Sequence, residues 1–334
     1  MANQIKKLNT IAIASIEKVN TLTDANIEKL NTLNFAGVVA IATWTAESGN
    51  LGTAKYAGSL FGTATDAVYC GGYVSGALNT TEIWDGSSGT GAWSAGSNNL
   101  GAASHGGTGA GIRGSGTYDG LKITGSGGAS KTCELWNGTD NTWSSAADTN
   151  VAHLQGTSAG GGAVDNALVL GGTEGAATKA EHYDLSGDSW TAGSNTTAER
   201  NELMGGDSGG AGYAKLIAGA DDGYTKLVTC TNYTTASDTW SSSVNYPVAT
   251  ASGASFGQTS ADDVVAAAGR TASGSAGVAS TNEFNNGAWQ TGNNLTRNRR
   301  TIQGCGPTGN GITAGGYDGS FRGYTDTMTR TVST

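Results

Sequence analysis

The chain has 334 residues, 55 of them glycine and only 2 proline, with a formal net charge of −9 and 13% charged residues. Glycine never settles into a three-residue period, which excludes collagen. Short runs of Trp, Tyr, Leu, Ile and Val bounded by glycine exclude a disordered Gly/Ser chain and read as strands between tight turns. An acidic surface repels phosphate backbones, so nucleic-acid binding is not expected. No window reaches the length of a membrane span. The apolar run Ile11-Ala-Ile-Ala14, hemmed by Asn9, Thr10 and Glu17, is too short for a secretory leader.

Residues 1–34 repeat every 11 positions: Ile5-Lys-Lys-Leu-Asn-Thr10, Ile16-Glu-Lys-Val-Asn-Thr21 and Ile27-Glu-Lys-Leu-Asn-Thr32. Ser15 and Asn26 stand where helix N-caps stand, and the following Asn-Thr favours a turn, so one turn of helix plus a short strand is expected in each repeat. An 11-residue coiled coil is the alternative. A segment this short cannot bury Ile5, Leu8, Ile16, Val19, Ile27 and Leu30 by itself. These side chains are therefore expected to dock the arm on a partner.

From residue 35 onward the law changes. Six of the eight tryptophans, Trp44, Trp93, Trp143, Trp190, Trp240 and Trp289, are spaced by 49, 50, 47, 50 and 49 residues. Five of them are preceded by an aromatic, often after Glu, as in Glu82-Ile-Trp84, Glu134-Leu-Trp136, Glu181-His-Tyr183, Asn232-Tyr233 and Glu283-Phe284. Further upstream lie apolar runs ending in glycine, such as Val68-Tyr-Cys-Gly-Gly72, Leu168-Val-Leu-Gly-Gly172 and Ile312-Thr-Ala-Gly-Gly316. A period near 50 residues marks a repeat architecture.

The order of Gly pair, aromatic strand and Trp strand resembles the kelch family, most fully in Gly171-Gly172, Tyr183-Asp184 and Trp190. Other copies depart from it, with Ala220 and Arg270 in the place of the second glycine. The resemblance covers about residues 34–334 and implies an all-β, six-bladed kelch-like β-propeller over 35–334, preceded by the arm of 1–34. The last glycine-ended strand has no Trp after it, and the Trp44 segment lacks the earlier strands of its own repeat. The Trp44 segment is therefore expected to close the propeller as the outermost strand of the blade begun near Arg300.

The chemistry is sparse. The three histidines, His105, His153 and His182, form no metal or acid–base constellation, and Asp221-Asp222-Gly223 reads as a solvated turn. Cys70, Cys133, Cys230 and Cys305 lack metal-type spacing and are expected as buried free thiols. No enzyme activity, cofactor or metal is expected. Two sets of residues are candidates for binding. After each Trp, on the approach to the next inner strand, come Tyr56, His105, His153, Arg200, Thr250 and Arg299/Arg300. This ring either binds glycans and acidic ligands or hydrogen-bonds the loops between repeats. The second set is Tyr317, Phe321 and Tyr324, with Tyr73 and Tyr224 in the corresponding loops.

The arm repeats are similar to the N-terminal segments of structural proteins of tailed phages, cyanophages especially. That resemblance implies a virion protein, assembled in the host cytoplasm and present in several copies. Its arm would contact other virion proteins while its propeller is displayed, as a tail fibre or appendage, for host-surface glycan recognition. A capsid decoration protein without receptor binding and a glycan-degrading propeller enzyme are the alternatives.

Overall fold

The computed structural model describes residues 41–331, apart from 88–90, 115, 126–130, 161, 174, 197, 207–211, 261–262, 272–275 and 286, together with six two-residue strands before residue 41. The chain divides into two compact units, Met1–Ile41 with Arg330–Thr334, and Ala42–Thr329.

In the first unit the 11-residue repeat appears as three two-residue strand pairs. Lys7–Leu8 pairs with Ile11–Ala12, Lys18–Val19 with Leu22–Thr23, and Lys29–Leu30 with Leu33–Asn34, all antiparallel. Lys18 and Lys29 are thus strand residues, which supplies the short strand expected in each repeat and excludes a continuous coiled coil, while the Ile-Glu positions of the expected helical turn lie outside the described residues. Leu8, Val19 and Leu30 each close the first strand of a pair, while Ile5, Ile16 and Ile27 fall outside the described residues.

The second unit is built from antiparallel meanders. Three are separate four-stranded sheets: Ser59–Thr63, Asp66–Cys70, Thr81–Asp85, Ala92–Ala95; then Thr108–Gly111, Gly120–Ile123, Cys133–Asn137, Thr142–Ala146; then Thr157–Ala159, Leu168–Leu170, Ala180–Asp184, Ser189–Ala192. A three-stranded sheet, Tyr213–Ile217, Cys230–Thr234 and Thr239–Ser243, follows. Its inner strand, Gly205–Gly206, instead joins two further meanders into one nine-stranded sheet. One of these holds Ala254–Ser260, Asp263–Ala267, Thr281–Asn285 and Ala288–Thr291. The other holds Gln303–Cys305, Asn310–Ala314, Thr325–Thr331 and, at its outer edge, Ile41–Ala46. The Trp44 strand therefore sits beside the last strand of the chain, the place expected for it. No α-helix occurs among the described residues.

The second strand of each meander is buried along its length, as in Leu168–Leu170, or along all but its first residue, as in Asp66–Cys70. A strand covered on both faces has no polar side to alternate with. Packing runs from sheet to sheet: Phe61, Val68 and Ile83 of the first share a core with Trp136 of the second. The periodic tryptophans bond across the same boundaries. The indoles of Trp44, Trp93 and Trp143 donate to the hydroxyls of Thr281, Thr325 and Thr81, at 3.0, 2.8 and 2.9 Å. Those of Trp190, Trp240 and Trp289 donate to the carbonyls of Ala147, Ser194 and Val244. Each acceptor lies in the preceding meander or in the loop leaving it. The Glu of the sequence motif has a matching task. Glu82, Glu134 and Glu181 accept backbone N–H groups of Gly52, Gly101 and Asn150 in the loop that approaches their own sheet.

At the centre, six residues with positive φ, Ala57, Gly106, Gln155, Glu202, Ser252 and Thr301, recur at the same point of every meander. Their backbones form a closed circle. Ala57 N–H donates to Thr301, Gly106 to Ala57, Gln155 to Gly106, Leu203 to Gln155, Ser252 to Glu202, and Thr301 to Ser252, over 2.6–3.3 Å. The circle encloses a cavity of about 30 Å³, room for ordered water and little else. Beyond it the inner strands touch. A Cβ on Gly206 would lie 1.9 Å from the Gly304 carbonyl oxygen, so only glycine fits that crossing.

Candidate functional site

The residues expected as one ring separate into two layers. The inner layer is Lys55, Ser104, His153, Arg200, Thr250 and Arg299. The carbonyls of Ser104, Arg200, Thr250, Arg299 and Lys55 accept the N–H of Gly72, Gly172, Gly219, Gly269 and Gly316 from the preceding meander, at 2.8–2.9 Å. The His153 carbonyl accepts the Thr124 hydroxyl at 3.0 Å. All six residues are buried.

Their side chains are spent on their own sheets. Arg299 donates to the carbonyls of Gly315 and Tyr324, both at 2.8 Å, and pairs with the buried Asp326 carboxylate. Arg200 makes the same two carbonyl bonds, to Ala218 at 3.1 Å and Thr229 at 2.7 Å, without a carboxylate. The ring nitrogens of His153 meet the Gly171 carbonyl at 2.7 Å and Glu181 at 3.0 Å. Lys55 reaches Glu82 at 2.8 Å. Thr250 bonds the Val248 carbonyl. Burial alone would raise the Glu181 carboxyl, but hydrogen bonds from His153, Asn150 and Val151 hold it below its ordinary value. His153, Arg200, Thr250 and Arg299 are thus fasteners between and within sheets, the second of the two roles open to the ring, and their buried side chains leave the ligand-binding candidates to the outer layer. Buried cations of this kind are costly unless their donors are matched, and here strand-end carbonyls take the terminal nitrogens of Arg200 and Arg299, whose Nε atoms have no partner among the described residues.

The outer layer, one residue further on, faces the loops. Tyr56 and Arg300 form isolated bridges with Tyr73 and Tyr317, the residues that follow the glycine pairs, and Tyr317 bridges Phe321 in turn. The same scaffold position is Ala220 in another loop and Arg270 in a third. The backbone repeats while the side chains do not, and aromatics gather in one sector. Tyr56 stacks on Phe321 with centroids 5.6 Å apart and planes 20° from parallel. It also meets Tyr73 at 5.6 Å and Tyr317 at 6.1 Å. Tyr73 continues the row to His105 at 5.1 Å, and the Arg300 guanidinium lies 4.9 Å over the Tyr317 ring.

All these side chains are partly exposed, Phe321 at 36% being the most open. Burial raises the Tyr56 hydroxyl above its ordinary value, reinforced by Tyr73 and opposed by Arg300. Burial also lowers His105, whose Nδ1 has no partner among the described residues, so its imidazole is neutral at neutral pH. Tyr324 stands apart from this row, between the guanidiniums of Arg297 at 4.1 Å and Arg322 at 5.4 Å. Tyr224 is 58% exposed and makes no ring contact among the described residues.

The remaining candidates carry no chemistry of their own. The four cysteines are free and buried, and burial pushes the thiols of Cys70 and Cys133 up to about 12. Asp221 accepts the Thr225 N–H at 2.8 Å, as a turn residue does. The described residues contain no group of three or more His, Cys, Asp or Glu side chains suited to a metal ion. Lys55 and Arg297 escaped sequence reasoning. Lys55 was legible 49 residues ahead of Ser104 once the count starts from the left-handed residue rather than from Trp.

No protein-family model matches the chain, and no curated protein matches it. Solved structures do. The structure of YjhT superposes with a TM-score of 0.65 at 14% sequence identity, over 85% of this chain and 99% of its own. The fold is β-propeller-like. At this identity the likeness concerns the propeller-like architecture alone.

Proposed function

We propose that the chain is a six-bladed kelch-like β-propeller carried on a repeat arm, a structural protein of a tailed-phage particle that recognises host-surface glycan and catalyses no reaction. Six tryptophan bonds between neighbouring meanders and a hydrogen-bonded circle of six left-handed junctions support the six-bladed reading. The arm's 11-residue repeat supports an attachment segment read by other virion proteins.

The observation that carries the recognition reading is the row His105, Tyr73, Tyr56, Phe321 and Tyr317. The fold does not need it, because the same loop scaffold is built elsewhere with Ala220. Partly exposed aromatics that packing does not demand are what a binding surface keeps. Mass spectrometry of purified particles, followed by cryo-electron microscopy of the intact virion, tests the assignment. Copies at a tail or fibre with outward propellers are expected. Copies spread over the capsid make the chain a decoration protein, and absence from the particle ends the viral reading.

A further inference from the structure

The aromatic row lies in a sector whose charge runs against the rest of the molecule. The chain carries a net charge of −9, yet five of its eight arginines fall within residues 297–330. Arg299 is buried and paired with Asp326, and Arg322 is held by Asp318 at 2.7 Å. Arg297 and Arg300 make no ion pair among the described residues. Each instead lies over an aromatic ring, Arg297 on Tyr324 and Arg300 on Tyr317. The Arg300 Nε is buried and unpartnered. A guanidinium held flat against a ring keeps its remaining N–H edge for a planar anion.

From this we infer that the sector binds an anionic polysaccharide, laying consecutive sugar rings along Tyr317, Phe321, Tyr56 and Tyr73 while Arg300 takes a carboxylate or sulfate group. The inference rests on the glycan-recognition reading above and narrows it to acidic chains. The row presents several partly exposed ring faces in succession. Such a surface suits a polymer held by several shallow contacts, whereas a free monosaccharide needs a pocket. Stacked aromatics beside arginines also suit single-stranded nucleic acid. The acidity of the chain as a whole disfavours a long phosphate backbone extending past the sector.

The test is isothermal calorimetry of the full-length protein with oligogalacturonate, a sulfated dextran, a neutral malto-oligosaccharide and oligodeoxythymidine. Binding of oligogalacturonate or sulfated dextran is expected, weakening as salt rises, and whichever binds more tightly tells carboxylate from sulfate. A charge-assisted hydrogen bond lost with Arg300→Gln corresponds to a fall in affinity of about tenfold or more. Phe321→Ala, at the exposed end of the row, weakens binding as well. Tyr213→Ala, at the start of the strand Tyr213–Ile217 in a different meander and 48% exposed, leaves it unchanged. Melting curves check that each variant is folded. Equal binding of the neutral sugar, insensitive to Arg300→Gln, overturns the anionic inference and leaves glycan recognition standing. No binding of any sugar overturns both. Tighter binding of oligodeoxythymidine than of either acidic sugar overturns the inference in favour of nucleic acid.

Discussion

Removing the carboxylate of Asp326 tests how the buried cations are held. Arg299 and Asp326 are both fully buried, and the other Asp326 oxygen accepts the Thr296 hydroxyl. In Asp326→Leu the guanidinium keeps its bonds to Gly315 and Tyr324 but loses its counter-charge. Stranding one member of a buried pair costs about 3–5 kcal/mol. The two surviving carbonyl bonds place this case near the lower end, at about 3 kcal/mol. For a unit of this size that is a fall in Tm of about 5 °C. Differential scanning calorimetry and urea denaturation both read it. The double variant Arg299→Met with Asp326→Leu removes both charges together and should recover most of the loss, since an apolar pair of similar volume packs the same space. A single variant that loses less than about 1 kcal/mol, or a double variant no more stable than the single one, refutes the fastener account.

Trp143→Phe removes the indole bond to Thr81. It should destabilise by about 1 kcal/mol, and a double-mutant cycle with Thr81→Val should show that the two losses overlap rather than add. Glu181 is held below its ordinary value in the fold, so its contribution is complete above the unfolded value of about 4.3 and fades as pH falls through the folded one. Glu181→Gln should therefore lower stability at neutral pH and flatten the acid limb of the stability curve; an unchanged acid limb in urea titrations excludes this role. Arg200 lacks the carboxylate that Arg299 has, and Thr231, the counterpart of Asp326, keeps a buried hydroxyl without a partner among the described residues. Thr231→Asp should raise Tm by about 2–4 °C, and a fall in Tm would show that the two sites are not equivalent.

The tryptophan period exposed the repeat because each indole performs the same task, a bond to the preceding meander that neither Phe nor Tyr reproduces in that geometry. The Glu ahead of the aromatic was visible for a similar reason, since its carboxylate collects backbone N–H groups. The binding candidates were only half legible. Counting from Trp merged Tyr56 and His105 with His153 and Arg200, because the repeats differ in length and a shift of one residue moves a side chain from the rim to the interior. The marker that separates the layers is a backbone angle carried by Ala57, Gln155, Glu202, Ser252 and Thr301, residues with no shared side-chain chemistry. Tyr317 and Phe321 did come together as a surface feature, since the loop glycines announce a tight turn and its aromatics have no core to enter.

The circle of left-handed junctions also bears on how such a chain can change over generations. Repeated copies invite duplication and loss, yet here the six joins share one closed ring of hydrogen bonds. A chain with one copy fewer or more would have to re-angle every join at once, and no single step leads there. Copy number is therefore frozen, and inherited variation is channelled into the loops at the rim. Loop side chains can change there at no risk to closure.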